Sequence, residues 1–173
     1  MRDAGGADRL RPGTRLPPVV LLATDGTSVD LAALPGRSLL AVYPWTGRPG
    51  RPNPPNWDDI PGAHGSTPEL EGFRERASDF AAVGVRVFGL SRQATHDQTE
   101  LVSRLRLPFP ILSDAEGRFA EALGLPAFIT GGATYLERLT LLIENGRIES
   151  VFYPIRDPAG HAAELVAWLE QRS

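Results

Sequence analysis

Two short apolar runs constrain this chain most: "SLLAVYP" at 38–44, which is continuous, and "VRVFGLS" at 85–91, interrupted only by Arg86. A run of strand length with no polar alternation reads as a strand buried on both faces. Between them, Leu70, Phe73, Ala77, Phe80 and Ala81 fall at i, i+3, i+7, i+10 and i+11, one apolar face of a helix. Strands that must be covered on both sides, separated by helices that supply the cover, point to layered α/β folds.

The rest of the chain continues the alternation. "VVLLATDGTSVDL" sets Asp25-Gly26 between two β-prone runs and reads as a hairpin. "ATHDQTELVSRLRL" is a helix with Leu101, Val102 and Leu105 inward, "PFPILSD" a short strand and "EGRFAEALGL" a short helix. Asn145-Gly146 makes "LERLTLLIENGRIESVFYPI" a second hairpin. Ala162, Leu165, Val166 and Leu169 form the apolar stripe of a closing helix. The prediction is an α/β sandwich with a mixed central sheet. Residues 1–15, polar and rich in Gly and Arg, are expected to be flexible, and 16–173 to form a single domain.

Composition narrows the function. Net charge is −3, with no clustered Lys or Arg, so no nucleic-acid partner is expected. The longest apolar runs are too short to span a bilayer, and the N-terminus shows no apolar signal core. The expected location is the cytoplasm, away from any membrane. The 173 residues include no cysteine, which removes disulfides, thiolate metal sites and thiol catalysis. No His/Asp/Glu spacing suggests a metal, and no cofactor is expected. His96 and His161, on predicted helices beside polar residues, read as surface.

Residues 45–65, "WTGRPGRPNPPNWDDIPGAHG", hold five Pro and four Gly, and nothing periodic survives there. So long a loop in a compact domain is usually functional or disordered. It runs into "GSTPELEGFRER", a helix start in which Ser66 to Glu69 has capping-box spacing and Thr67-Pro68 supplies a second cap with Pro at N1.

These segments resemble the peroxiredoxins of the Q type. Tyr43-Pro44 matches the family's strand end, and Gly65, Thr67, Gly72, Phe73 and Arg74 match its active-site helix start. "LRLPFPILSDAEGRFAEALGL" and "ERLTLLIENGRI" resemble two further family segments, the second carrying an active-site arginine that falls on Arg138. The resemblance spans roughly residues 14–170 in order. It implies a thioredoxin-like three-layer sandwich and an antioxidant ancestry. Ser66 stands at the family's peroxidatic cysteine, Glu71 at its helical resolving cysteine and Ala63 at a supporting threonine.

Serine cannot take over the thiol's task. With water's pKa of about 15.7 as a stand-in for an alcohol, ionising it at pH 7 needs a shift of roughly 9 units, or about 12 kcal/mol. Burial and neighbours supply roughly 3–5 units. Three readings follow: a relative whose pocket binds or converts a small organic molecule without redox chemistry, a Cys-to-Ser form of a one-cysteine hydroperoxide reductase, and a pseudoenzyme acting through protein contacts. Glu71 and Ala63 weigh against the second, since a deliberate exchange normally puts Ser or Ala at a cysteine, but that reading needs only Ser66 to be artificial and stays open. Ser66 and Arg138 are the expected chemical pair, in a cavity that also takes the Ser66 and Thr67 amides and is roofed by the 45–65 loop. Tyr43, Pro44, Trp45 and Trp57 are expected to flank it, with His64, Thr67 and Glu71 as further ligand contacts. His64, with Asp58 or Asp59, allows a serine–histidine pair to be written. Arg138 would otherwise pair with Glu137 or Glu71. The expected partner is a small-molecule or peroxide-like ligand of a monomer or homodimer.

Overall fold

The two apolar runs lie side by side at the centre of the sheet. In the computed structural model, which describes residues 7–172, β3 (Arg37–Val42) and β4 (Val85–Ser91) pair in parallel, with Leu39 opposite Val87 and Leu40 opposite Phe88. Around them stand β1 (Val20–Ala23), β2 (Ser28–Asp30), β5 (Ile111–Ser113), β8 (Leu139–Glu144) and β9 (Arg147–Phe152). The order is β2-β1-β5-β4-β3-β8-β9. The β3–β4 and β4–β5 pairs are parallel and the others antiparallel, so the sheet is mixed as predicted.

Alternation along β3 separates two cores. Leu39, Ala41 and Tyr43 face helices α1 (Ser66–Glu75), α2 (Ala77–Ala82), α3 (Thr95–Leu105) and α5 (Pro158–Glu170). Leu40 and Val42 face α4 (Arg118–Leu123) on the other side. Helices therefore cover both faces of the sheet. Ala162, Leu165, Val166 and Leu169 are all buried, as their stripe predicts.

The single helix expected through Ala81 is two. It breaks at Arg76, so Phe73 and Phe80 share one core with ring centroids 5.6 Å apart, while Ala81 turns out to solvent. A small second sheet, β6 (Ala127–Thr130) with β7 (Ala133–Leu136), goes beyond the sequence reading; its runs are short and lack clean alternation, although Gly131-Gly132 between them, both at positive φ, is a two-residue hairpin signal.

Residues 7–15 correct the expectation of a flexible segment; residues 1–6 lie outside the described part. Leu10 is buried in the core, Gly13 N–H donates to Ile148 O (2.7 Å), and Thr14 O accepts from Ile148 N–H (2.9 Å). The free edge of β9 offers unpaired backbone groups, and the segment bonds to it while Leu10 buries in the core.

Candidate functional site

The site forms where β3 ends, α1 begins and β8 begins. Antiparallel pairing of Val42 with Leu139 brings Arg138 to the end of the sheet where Tyr43 leads into the long loop. Gly65 makes the turn into α1 with φ 107, a conformation L residues rarely adopt. A Cβ there would meet Pro158 Cγ at 2.8 Å, so Gly65 lets the N-terminal ends of α1 and α5 touch.

Ser66 is therefore the first residue of α1 and not its cap, which corrects the capping-box reading: no side chain caps this helix. The Ser66 hydroxyl is buried and accepts from Arg138 Nη2 at 2.9 Å. The same Nη2 donates to the carbonyls of Gly62 (3.3 Å), Ala63 (3.3 Å) and His64 (3.1 Å). Arg138 Nη1 donates to Glu69 Oε1 at 2.9 Å, and both side chains are buried. One guanidinium thus ties the end of the loop to the first turn of α1.

Glu69 is the partner that sequence reading missed. It lies three residues after Ser66 on the face that also carries Leu70 and Phe73, and an acid on a core face is the signal that could have revealed it. Burial pushes its carboxyl up to about 7, and Arg138 pulls it part-way back. Glu71 is half-exposed and pairs with Arg74 at 3.6 Å.

The serine–histidine pair does not form. His64 is exposed and bonds through Nε2 to Asp58 Oδ1, while the Ser66 hydroxyl is engaged by Arg138. His161 is buried, which corrects its surface assignment: it meets Thr140 Oγ1 at 2.9 Å and packs against Phe73 and Phe152. Burial, with Arg138 nearby, lowers its pKa to about 4, so the ring is neutral at pH 7.

Tyr43, Trp45 and Trp57 do not line the cleft that reaches Arg138. Tyr43 and Pro44 are buried under the loop, and burial raises the Tyr43 phenol far above its usual value. Ser91 pulls the phenol part-way back, although no hydrogen bond of good geometry joins them. Trp57 packs between Trp45, Phe128 and Tyr135, at centroid distances of 5.5, 5.7 and 5.2 Å. These contacts fasten the loop to β6 and β7. Arg48 adds ion pairs to Asp97 (3.0 Å) and Glu100 (3.6 Å) of α3. The loop is held by contacts despite having little regular structure of its own.

A cleft of about 530 Å³ does reach Arg138. One wall is residues 58–64 of the loop and the other is residues 153–158 leading into α5. Of the expected site residues, His64 and Arg138 line it; Tyr43, Pro44, Trp45, Trp57, Thr67 and Glu71 do not. Ser66, buried, does not line it either. No cluster of metal-binding side chains occurs among the described residues, and no helix among them is long and apolar enough to cross a membrane.

The redoxin family pattern matches residues 11–166. Over 157 residues the chain is 31% identical to a Coxiella burnetii protein named as a peroxiredoxin Bcp, covering 88% of this chain and 94% of that one. Chloroplastic peroxiredoxin Q of Oryza sativa subsp. japonica is 26% identical over 164 residues, covering 94% of this chain and 68% of the rice protein. Peroxidoxin BcpB from Mycobacterium tuberculosis superposes with a TM-score of 0.75 at 24% identity, covering 95% of this chain and 99% of that structure. A cysteine-to-serine mutant of peroxiredoxin Q from Xylella fastidiosa gives 0.75 at 21% identity, covering 94% and 97%. The superpositions establish the thioredoxin-like fold, and the sequence matches establish the ancestry. With that frame intact from residue 11 to residue 166 and no cysteine within it, this chain belongs to the redoxin family, among the peroxiredoxins of the Bcp/Q type.

Proposed function

We propose that this protein is a non-redox member of its family, whose site binds, or converts without electron transfer, a small organic molecule bearing an oxyanion or a polarised carbonyl. The observation that carries this reading is the buried Arg138 guanidinium, hydrogen-bonded to Ser66 at the N-terminus of α1 and reached by an open cleft. A thiolate placed there would be stabilised by the arginine and the helix end. A serine leaves the same positive environment without a nucleophile that ionises or forms a sulfenic acid. What remains is a set of donors suited to negative charge: the guanidinium, the opening amides of α1 and the hydroxyl. In a conversion they would act as oxyanion stabilisers.

Arg138 is held by Glu69 and three loop carbonyls, so ligand access requires an anion to replace one of those acceptors. Glu69, poised near neutrality, would take up a proton from solvent as Arg138 turns from it to the anion. Two assays test the reading. Peroxide consumption driven by dithiothreitol should stay at background; protein-dependent turnover overturns it. Ligand-detected NMR with small carboxylates, phenols and ketones should show binding that is lost in Arg138→Lys and only weakened in Ser66→Ala. Binding unchanged in Arg138→Lys, or none with any of these probes, also overturns it.

A further inference from the structure

The basic side chains that line the cleft differ in whether they have an acidic partner. Arg138 is paired with Glu69, and His64 with Asp58. Arg156, the third basic side chain on the lining, is exposed and has no hydrogen bond or ion pair among the described residues. Its neighbour Asp157 is occupied elsewhere, accepting from Gly160 N–H at 3.3 Å as the cap of α5. Resting on the functional reading above, we propose that the ligand of this cleft is a monocarboxylate with an apolar body, and that Arg156 is the residue that selects it.

Several features add to this. The cleft opens over the contact between Gly65 and Pro158, where α1 and α5, helices of 10 and 13 residues, bring their positive ends together. At the floor, Arg138 Nε–H is buried with no acceptor in the protein. Ile60, Pro61, Pro154, Ile155 and Pro158 supply an apolar wall. A volume of about 530 Å³ lies within the roughly 300–1,000 Å³ usual for small-molecule sites. Arg156 makes no ion pair among the described residues, and one open guanidinium suits one carboxylate. Arginine's planar fork suits a carboxylate in particular. A neutral peroxide or amide offers Arg156 no charge to bind.

The experiment uses the full chain with three acid–amide pairs: acetate and acetamide, hexanoate and hexanamide, 3-phenylpropionate and its amide. All three acids are ionised at pH 7. Affinities are measured by protein-detected NMR in wild type, Arg156→Gln and Arg138→Lys, with circular dichroism to confirm folding. Hexanoate and 3-phenylpropionate should bind about tenfold or more tightly than their amides, as expected for a charge-assisted hydrogen bond. Acetate, lacking an apolar body, should bind more weakly than either. Arg156→Gln should lower the preference for acid over amide several-fold, leaving only what Arg138 supplies. Equal binding of acid and amide in wild type, or a preference undiminished in Arg156→Gln, overturns this inference; the functional reading still stands if binding depends on Arg138. No acid binding at millimolar concentration overturns the inference outright, and a response to none of the three pairs removes the functional reading with it.

Discussion

Replacing Arg138 with methionine tests whether the Glu69 ion pair holds the site together. The Glu69 carboxyl is fully buried, 2.9 Å from Arg138 Nη1. Methionine keeps apolar bulk and removes the charge and all five donors. Stranding one partner of a buried pair costs about 3–5 kcal/mol. For a domain of this size that is a fall in Tm of roughly 6–20 °C. The pH dependence is the sharper test. Glu69 sits at about 7 in the folded protein, against an ordinary value of 4.5. Between those values the folded state holds a proton that the unfolded chain has lost. Glu69 therefore favours folding most below pH 4.5, and that contribution declines as pH rises to 7, by about 3 kcal/mol. Without Arg138 the folded-state pKa climbs further, so in the variant the decline continues past pH 7. The gap between wild type and variant should widen above pH 7 by up to about 1.4 kcal/mol per unit. Urea unfolding followed by circular dichroism at pH 6, 7.5 and 9 measures it. A gap below about 1 kcal/mol throughout, or one that stays level or narrows from pH 6 to 9, refutes the reasoning. Adding Glu69→Gln to the methionine variant should recover part of the loss, with a coupling of roughly 0.5–3 kcal/mol.

Ser66→Cys should place a thiol beside Arg138 Nη2 at the α1 N-terminus, with a pKa below the free value of about 8.5 and measurable peroxide consumption with dithiothreitol; alkylation rates against pH read the first, and absence of both shows that the site no longer supports the thiol chemistry. Trp57→Ala should cost about 3–5 kcal/mol and open the 45–65 loop to limited proteolysis, because Trp57 joins that loop to Phe128 and Tyr135; an uncut loop would show that other contacts hold it. Gly65→Ala should lose about 1–3 kcal/mol, since a Cβ at φ 107 meets Pro158 Cγ; full stability by thermal unfolding would mean that α1 and α5 separate without penalty.

The apolar runs of β3 and β4, the stripe of α5 and the Asn145-Gly146 turn were legible because strand and helix periods are written locally in the order of apolar residues. The chemistry was bounded as firmly: no arrangement of this chain can supply a thiolate. Resemblance placed Arg138 beside Ser66, and in the folded chain Arg138 Nη2 lies 2.9 Å from the Ser66 hydroxyl. Which acid would meet Arg138 was not legible. Periodicity marks a face as apolar, but that Glu69 on this face lies against Arg138 depends on the register of β8 against β3, strands about 100 residues apart in sequence, and on how α1 lands over it, a contact spanning 69 residues. The same holds for His161, buried against Thr140 of β8, and for Trp57, drawn into a hairpin that begins some 70 residues later. The cleft is the extreme case. Its walls, 58–64 and 153–158, are irregular segments with no period to read, and they become neighbours only because Gly65 allows two helix ends to touch. The sequence alone therefore determined the frame and the loss of sulfur, through local pattern and composition; long-range packing decided which charges are paired, which arginine is left free and where a ligand can enter.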